Sequence, residues 1–158
     1  PYTTLFRSLT SLFLHVGIQH LAYNMFSLYF LSETLLTFMP ASKYMITYFG
    51  SGLLGGLTSI VLSHATGHEA LSVGASGAIM GLVGAALFLF LYLRSKGVRI
   101  VGIIVRLIIM ALINIIPIEG GVDYSAHLCG FIVGFIIMIF MRRSIDLPAE
   151  EKEARFYE

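Results

Sequence analysis

Ser76, in the run Gly74-Ala75-Ser76-Gly77, and His127, in Ala126-His127, are the residue types of a nucleophile and its base. A serine hydroxyl is a weak nucleophile until a base takes its proton, and a neutral imidazole can accept that proton near neutral pH. The small neighbours of Ser76 leave room for a substrate backbone. The run also stands where a helix should begin. Unpaired backbone N–H groups and the positive end of the helix dipole would stabilise an oxyanion there. His20 and Asn24, in His15-x4-His20-x3-Asn24, are spaced i, i+4 and share a helix face. Both can donate hydrogen bonds toward such an oxyanion, and a pair of interhelical polar contacts is the alternative.

Serine and histidine can meet only if their helices touch. Gly77-x3-Gly81 follows the serine and Gly130-x3-Gly134 follows the histidine. Small residues at this spacing allow close backbone approach between membrane helices. Alone, Ser76 and its glycines would read as packing; the histidine above a matching stripe turns the reading toward chemistry. His15 is expected to have a structural role, holding the preceding loop. His64 and His68 are two histidines without a third ligand and are read as surface residues, so no metal is expected. Asp123 precedes His127 by four residues and is assigned to a loop. A Ser76–His127 dyad is therefore the economical reading, with a triad as the minor alternative. One cysteine, Cys129, excludes an internal disulfide.

The elements that must position these groups are membrane helices. Of the 158 residues 57% are apolar and 12% charged, against about 25% charged in soluble domains. Mean hydropathy is +0.87. Spanning takes about 20 apolar residues, and five segments qualify: 18–37, 43–63, 75–93, 100–116 and 125–141, the fourth being the shortest. Lys43 follows the first, Arg94, Lys96 and Arg99 the third, and Arg142, Arg143, Lys152 and Arg155 the fifth. The other two connections hold only Glu69, Glu119 and Asp123. Lysine and arginine favour the cytoplasmic side. The starts of spans one, three and five, with His20, Asn24, Ser76 and His127, therefore fall at the outer face, and the C-terminus is cytoplasmic. Arg106, inside the fourth span, is expected to snorkel to the cytoplasmic interface. Residues 1–8 match the translation of a common sequencing adapter and are read as an artefact. Residues 9–143 form the membrane domain and 144–158 a cytoplasmic tail.

Across residues 9–143 the chain resembles the rhomboid intramembrane serine proteases. The resemblance rests on His15-x4-His20-x3-Asn24-Met25, Gly74-Ala75-Ser76-Gly77-Ala78, and Ala126-His127 followed by Gly130 and Gly134. It implies an all-α, polytopic bundle with five of six core helices present, the first lying upstream. It implies that Ser76 is the nucleophile, that His127 is its general base, and that His20, Asn24 and the Ser76 backbone N–H form the oxyanion hole. The implied reaction is hydrolysis of a peptide bond in or near a transmembrane segment of another membrane protein, without a cofactor. Met80 stands where many members carry an aromatic residue, and Glu33 has no secure counterpart in the family's pattern. Lipid bilayer and transmembrane substrates are the expected partners, nucleic acid is not, and a bacterial plasma membrane is the expected setting. Two other classes compete. A non-catalytic helix-binding relative would be expected to have lost Ser76 or His127. A transporter or haem protein using His20 and His127 as ligands has no need of a Gly-Ala-Ser-Gly turn.

Overall fold

The computed structural model describes residues 2–67, 74–98, 101–115 and 122–145, which are helical apart from short connections. Six helices follow in order: α1 (Tyr2–Ser11), α2 (Ile18–Leu36), α3 (Ala41–Thr66), α4 (Ser76–Ser95), α5 (Val101–Ile115) and α6 (Tyr124–Met141), the last running into a 3-10 turn at Arg142–Ser144. Helices α2 to α6 fall within three residues of the five segments read from hydropathy. Residues 2–8, set aside in the sequence, lie in α1. His68, Glu69, Arg99, Glu119, Lys152, Arg155 and the tail from 146 lie outside the described residues.

Local chemistry explains the boundaries. Pro40 is the extended N-cap of α3, its carbonyl accepting from the Tyr44 N–H at 3.2 Å, a position where a missing N–H costs no helical bond. Gly67 ends α3 with φ 69°, a left-handed turn open to glycine without strain. Asp123 caps α6, its side chain accepting from the Ala126 N–H.

Three segments are long and apolar enough to cross a bilayer: Ala41–Thr66, Ser76–Ser95 and Tyr124–Ser144. At about 1.5 Å per residue, α3 extends roughly 39 Å, more than the roughly 30 Å hydrocarbon core. Helices α2 and α5 complete the bundle without meeting that measure. The first carries Gln19, His20, Asn24, Ser32 and Glu33, and the second has 15 residues.

Helix α4 is the axis of the molecule and touches α2, α3, α5 and α6. It is buried continuously from Gly77 to Ala86, with Ile79, Leu82, Leu89 and Leu93 fully enclosed. A helix apolar all round must be wrapped in this way. The outer faces are apolar too: Ile18 is 87% and Phe140 82% exposed, with Val61, Leu112 and Leu128 exposed as well. A surface of this kind is suited to lipid. Between helices in lipid the hydrophobic effect supplies little, so close packing must hold the bundle.

Small residues provide that packing. A Cβ on Gly52 would stand 2.9 Å from the Ala78 Cβ and the Leu12 side chain, and one on Gly55 would stand 2.8 Å from the Ala126 carbonyl. Ser51, fully buried, lies against Gly81. Thr58 donates to the Cys129 sulfur at 3.0 Å, a further link between α3 and α6. On the other flank Arg106 donates to Thr34 at 3.2 Å, near the C-terminal end of α2.

Candidate active site

The starts of α2, α4 and α6 come together at one end of the bundle. On α2, His20 and Asn24 are one turn apart, and Asn24 is 2% exposed. Gly74 lies directly on them: a Cβ there would be 2.7 Å from His20 Cε1, 3.0 Å from His20 Nε2 and 3.6 Å from Asn24 Nδ2. Its φ of 110° also calls for glycine. The turn is tied down from behind, because the Gly74 N–H donates to the Ser11 carbonyl at 2.8 Å.

Ala75 then enters α4, with its carbonyl accepting from the Ile79 N–H at 2.9 Å. Alanine has no capping oxygen, so no side chain at that position occupies the first N–H groups of α4. Ser76 is the first helical residue and is partly exposed, whereas Gly77 and Ala78 are buried. Gly77 faces the chain just before His127, its notional Cβ 3.5 Å from the Ala126 carbonyl and 3.7 Å from the Ala126 Cβ. Deeper in the bundle the two glycine stripes oppose each other. Gly130 lies on the Gly77 carbonyl and Gly134 on the Gly81 carbonyl, in each case closer than any side chain could approach. Gly84 meets the Phe131 carbonyl in the same manner. These contacts set α4 and α6 backbone to backbone and bring the residues around Ser76 and His127 to one level.

His127 is in the first turn of α6, 7% exposed. It lies within electrostatic reach of both Asp123 and His20. Among the described residues no hydrogen bond joins Ser76 to His127. Such bonds are often loose without substrate and tighten when it binds. His15, in the connection between α1 and α2, sets its ring edge-on to that of His20 at 5.1 Å between centroids. Met80, one turn after Ser76, is buried. His64 is exposed at the end of α3, and no cluster of three metal-ligating side chains occurs among the described residues.

Four buried nitrogens at this end have no hydrogen-bond partner among the described residues: His15 Nε2, His20 Nδ1, Asn24 Nδ2 and His127 Nδ1. Leaving such a group unsatisfied costs about 1–3 kcal/mol, and folded proteins rarely tolerate several together unless something else meets them. The arrangement can receive a polar guest between α2 and α6, at the mouth of α4. Two features were not read from the sequence. Asp123 lies in the connection before α6 and also caps that helix, a role signalled by its place just before an apolar run. The tie from Ser11 to Gly74 has no local signal at all.

A family model described as the Rhomboid domain matches residues 2–144. Rhomboid protease GluP of Bacillus subtilis is 32% identical over 142 residues, covering 90% of this chain and 26% of that protein. Putative rhomboid protease YdcA of the same organism is 28% identical over 155 residues, covering 95% and 70%. Rhomboid-like protease 3 of Toxoplasma gondii is 32% identical over 148 residues, covering 91% and 55%. The chain thus spans between about a quarter and 70% of the length of these relatives. No solved structure matches the chain.

Proposed function

This chain belongs to the rhomboid family, and from that premise we propose that it is an intramembrane serine endopeptidase acting on peptide bonds in or near transmembrane segments of other membrane proteins. Two of its relatives carry the names rhomboid protease and putative rhomboid protease. The observation that carries the reading is the placement of the Gly74 turn. It rests on His20 and Asn24 on one side while Gly77 meets Ala126 on the other. These contacts support a reading in which the serine works between two donors on α2 and a base on α6.

In this reading Ser76 Oγ attacks the scissile carbonyl carbon and His127 takes the hydroxyl proton. The oxyanion is met by His20, Asn24 and the free N–H groups at the start of α4, including that of Ser76. Collapse of the tetrahedral adduct expels the amine, which takes the proton from His127 and leaves an acyl-serine. Water then attacks the ester, again giving its proton to His127, and Ser76 leaves with that proton restored. The two close-packed glycine stripes hold base and nucleophile at one depth through each step.

The lysines and arginines at the opposite end, Lys43, Arg94, Lys96, Arg142 and Arg143, support a cytoplasmic placement of that end. The catalytic end then opens on the outer side of the membrane. A bacterial plasma membrane is in keeping with the two Bacillus relatives.

A fluorophosphonate probe tests the reading on the chain purified in detergent. Labelling of the wild type that vanishes in Ser76→Ala and His127→Ala is the expected result. A folded protein that does not label, or a label that persists in Ser76→Ala, would overturn it.

A further inference from the structure

We propose that Asp123 is a positioning residue for His127: it fixes the turn that carries the imidazole and sets a negative charge against the imidazolium formed when Ser76 gives up its proton. This rests on the protease reading above. The carboxylate is built into the start of α6. Its Oδ1 accepts from the Ala126 N–H at 3.0 Å and from the Ser125 hydroxyl at 2.6 Å. The Asp123 carbonyl accepts from the His127 N–H at 3.0 Å, so the two residues are one full turn apart and lie on one face.

That location gives the charge a task. An imidazolium at His127 forms in the first turn of a helix, where the dipole presents its positive end, and it forms almost out of reach of water, the residue being 7% exposed. Among the described residues Asp123 is the one carboxylate at this end of the bundle, one turn before His127. Among the described residues no hydrogen bond joins the Asp123 carboxylate to the imidazole. Asp123 is thus placed to act on His127 through the helix turn and through space. For capping alone, asparagine or serine would serve as well as aspartate, so the charge can be removed while the cap is kept.

The test is the rate of fluorophosphonate labelling at saturating and subsaturating probe, with melting temperature measured in parallel. In this reaction the serine oxygen bonds to phosphorus, fluoride leaves, and the serine proton passes to His127, so the rate reports on imidazolium formation. Asp123→Asn and Asp123→Ser both retain a capping oxygen. In each the maximal labelling rate should fall about tenfold, the worth of roughly 1.4 kcal/mol of charge stabilisation, with the half-saturating probe concentration and the melting temperature unchanged. Wild-type rates in both variants would reduce Asp123 to a cap and overturn the inference. A rate that falls only in step with the folded fraction would overturn it too. A wild type that does not label at Ser76 would remove the protease reading and this one with it, an outcome visible before any Asp123 variant is made.

Discussion

At Gly74 a hydrogen atom stands where a side chain would strike His20. Gly74→Ala adds a Cβ 2.7 Å from His20 Cε1 on a backbone with φ 110°, a strain of about 1–3 kcal/mol. The turn must shift, and Ser76 with it. Probe labelling should fall by about tenfold or more, since that strain spans one to two decades in rate, and retention of the wild-type rate would show that the turn need not touch α2. Asn24 poses a sharper question. If its amide donates to the oxyanion, Asn24→Ala should lower the turnover of a transmembrane substrate by about 100-fold with little change in KM. A rise in KM with turnover unchanged would instead mark a residue that binds substrate. These side chains could be picked out from the sequence because serine, histidine and asparagine are rare in apolar helices. Asp123 could be seen but not placed, because four residues of spacing do not reveal whether a helix has already begun.

Among the helices, α4 and α6 depend on glycine and α5 does not. Gly130→Ala drives a methyl group into the Gly77 carbonyl, a backbone atom that cannot rotate away. Overpacking of this kind costs about 1–3 kcal/mol, and it should lower the melting temperature and labelling together. Gly102→Ala is the counterpart: a Cβ there meets nothing within 4 Å. It should leave labelling intact and stabilise the protein by about 0.4–1 kcal/mol, by restricting the unfolded chain, read from thermal melting. Equal responses in the two variants would show that the close α4–α6 contact is not what holds the bundle. The Gly130 and Gly134 spacing announced a close-packed face, and hydropathy located the helices to within three residues. The partner faces were not legible. That Gly52 and Gly55 of α3 also lie on Ala78 and Ala126 depends on how distant segments stack, which local periodicity does not encode. The shortfall of α2 in apolarity has a plain cause: His20 and Asn24, together with Gln19, Ser32 and Glu33, dilute the span.

On the scale of the whole molecule, the starts of α2, α4 and α6 share one end and the described basic residues outside α1 and α5 share the other. Single cysteines introduced in a Cys129→Ser background would read the orientation in intact cells. Val16→Cys, beside the catalytic end, should react with a membrane-impermeant maleimide from outside. Ser95→Cys, at the far end, should react only after permeabilisation; the reverse pattern would invert the proposed topology. One further consequence lies in the order of synthesis. Ser76 precedes His127 by 51 residues (127 − 76), and the helix bearing the base is the partner against which α4 closes. At about 5–20 residues per second, a ribosome delivers the serine roughly 3–10 s before the histidine. Throughout that interval the nascent chain holds an unactivated alcohol, and under the proposed chemistry it becomes hazardous to neighbouring membrane proteins only once α6 has entered the bilayer and docked.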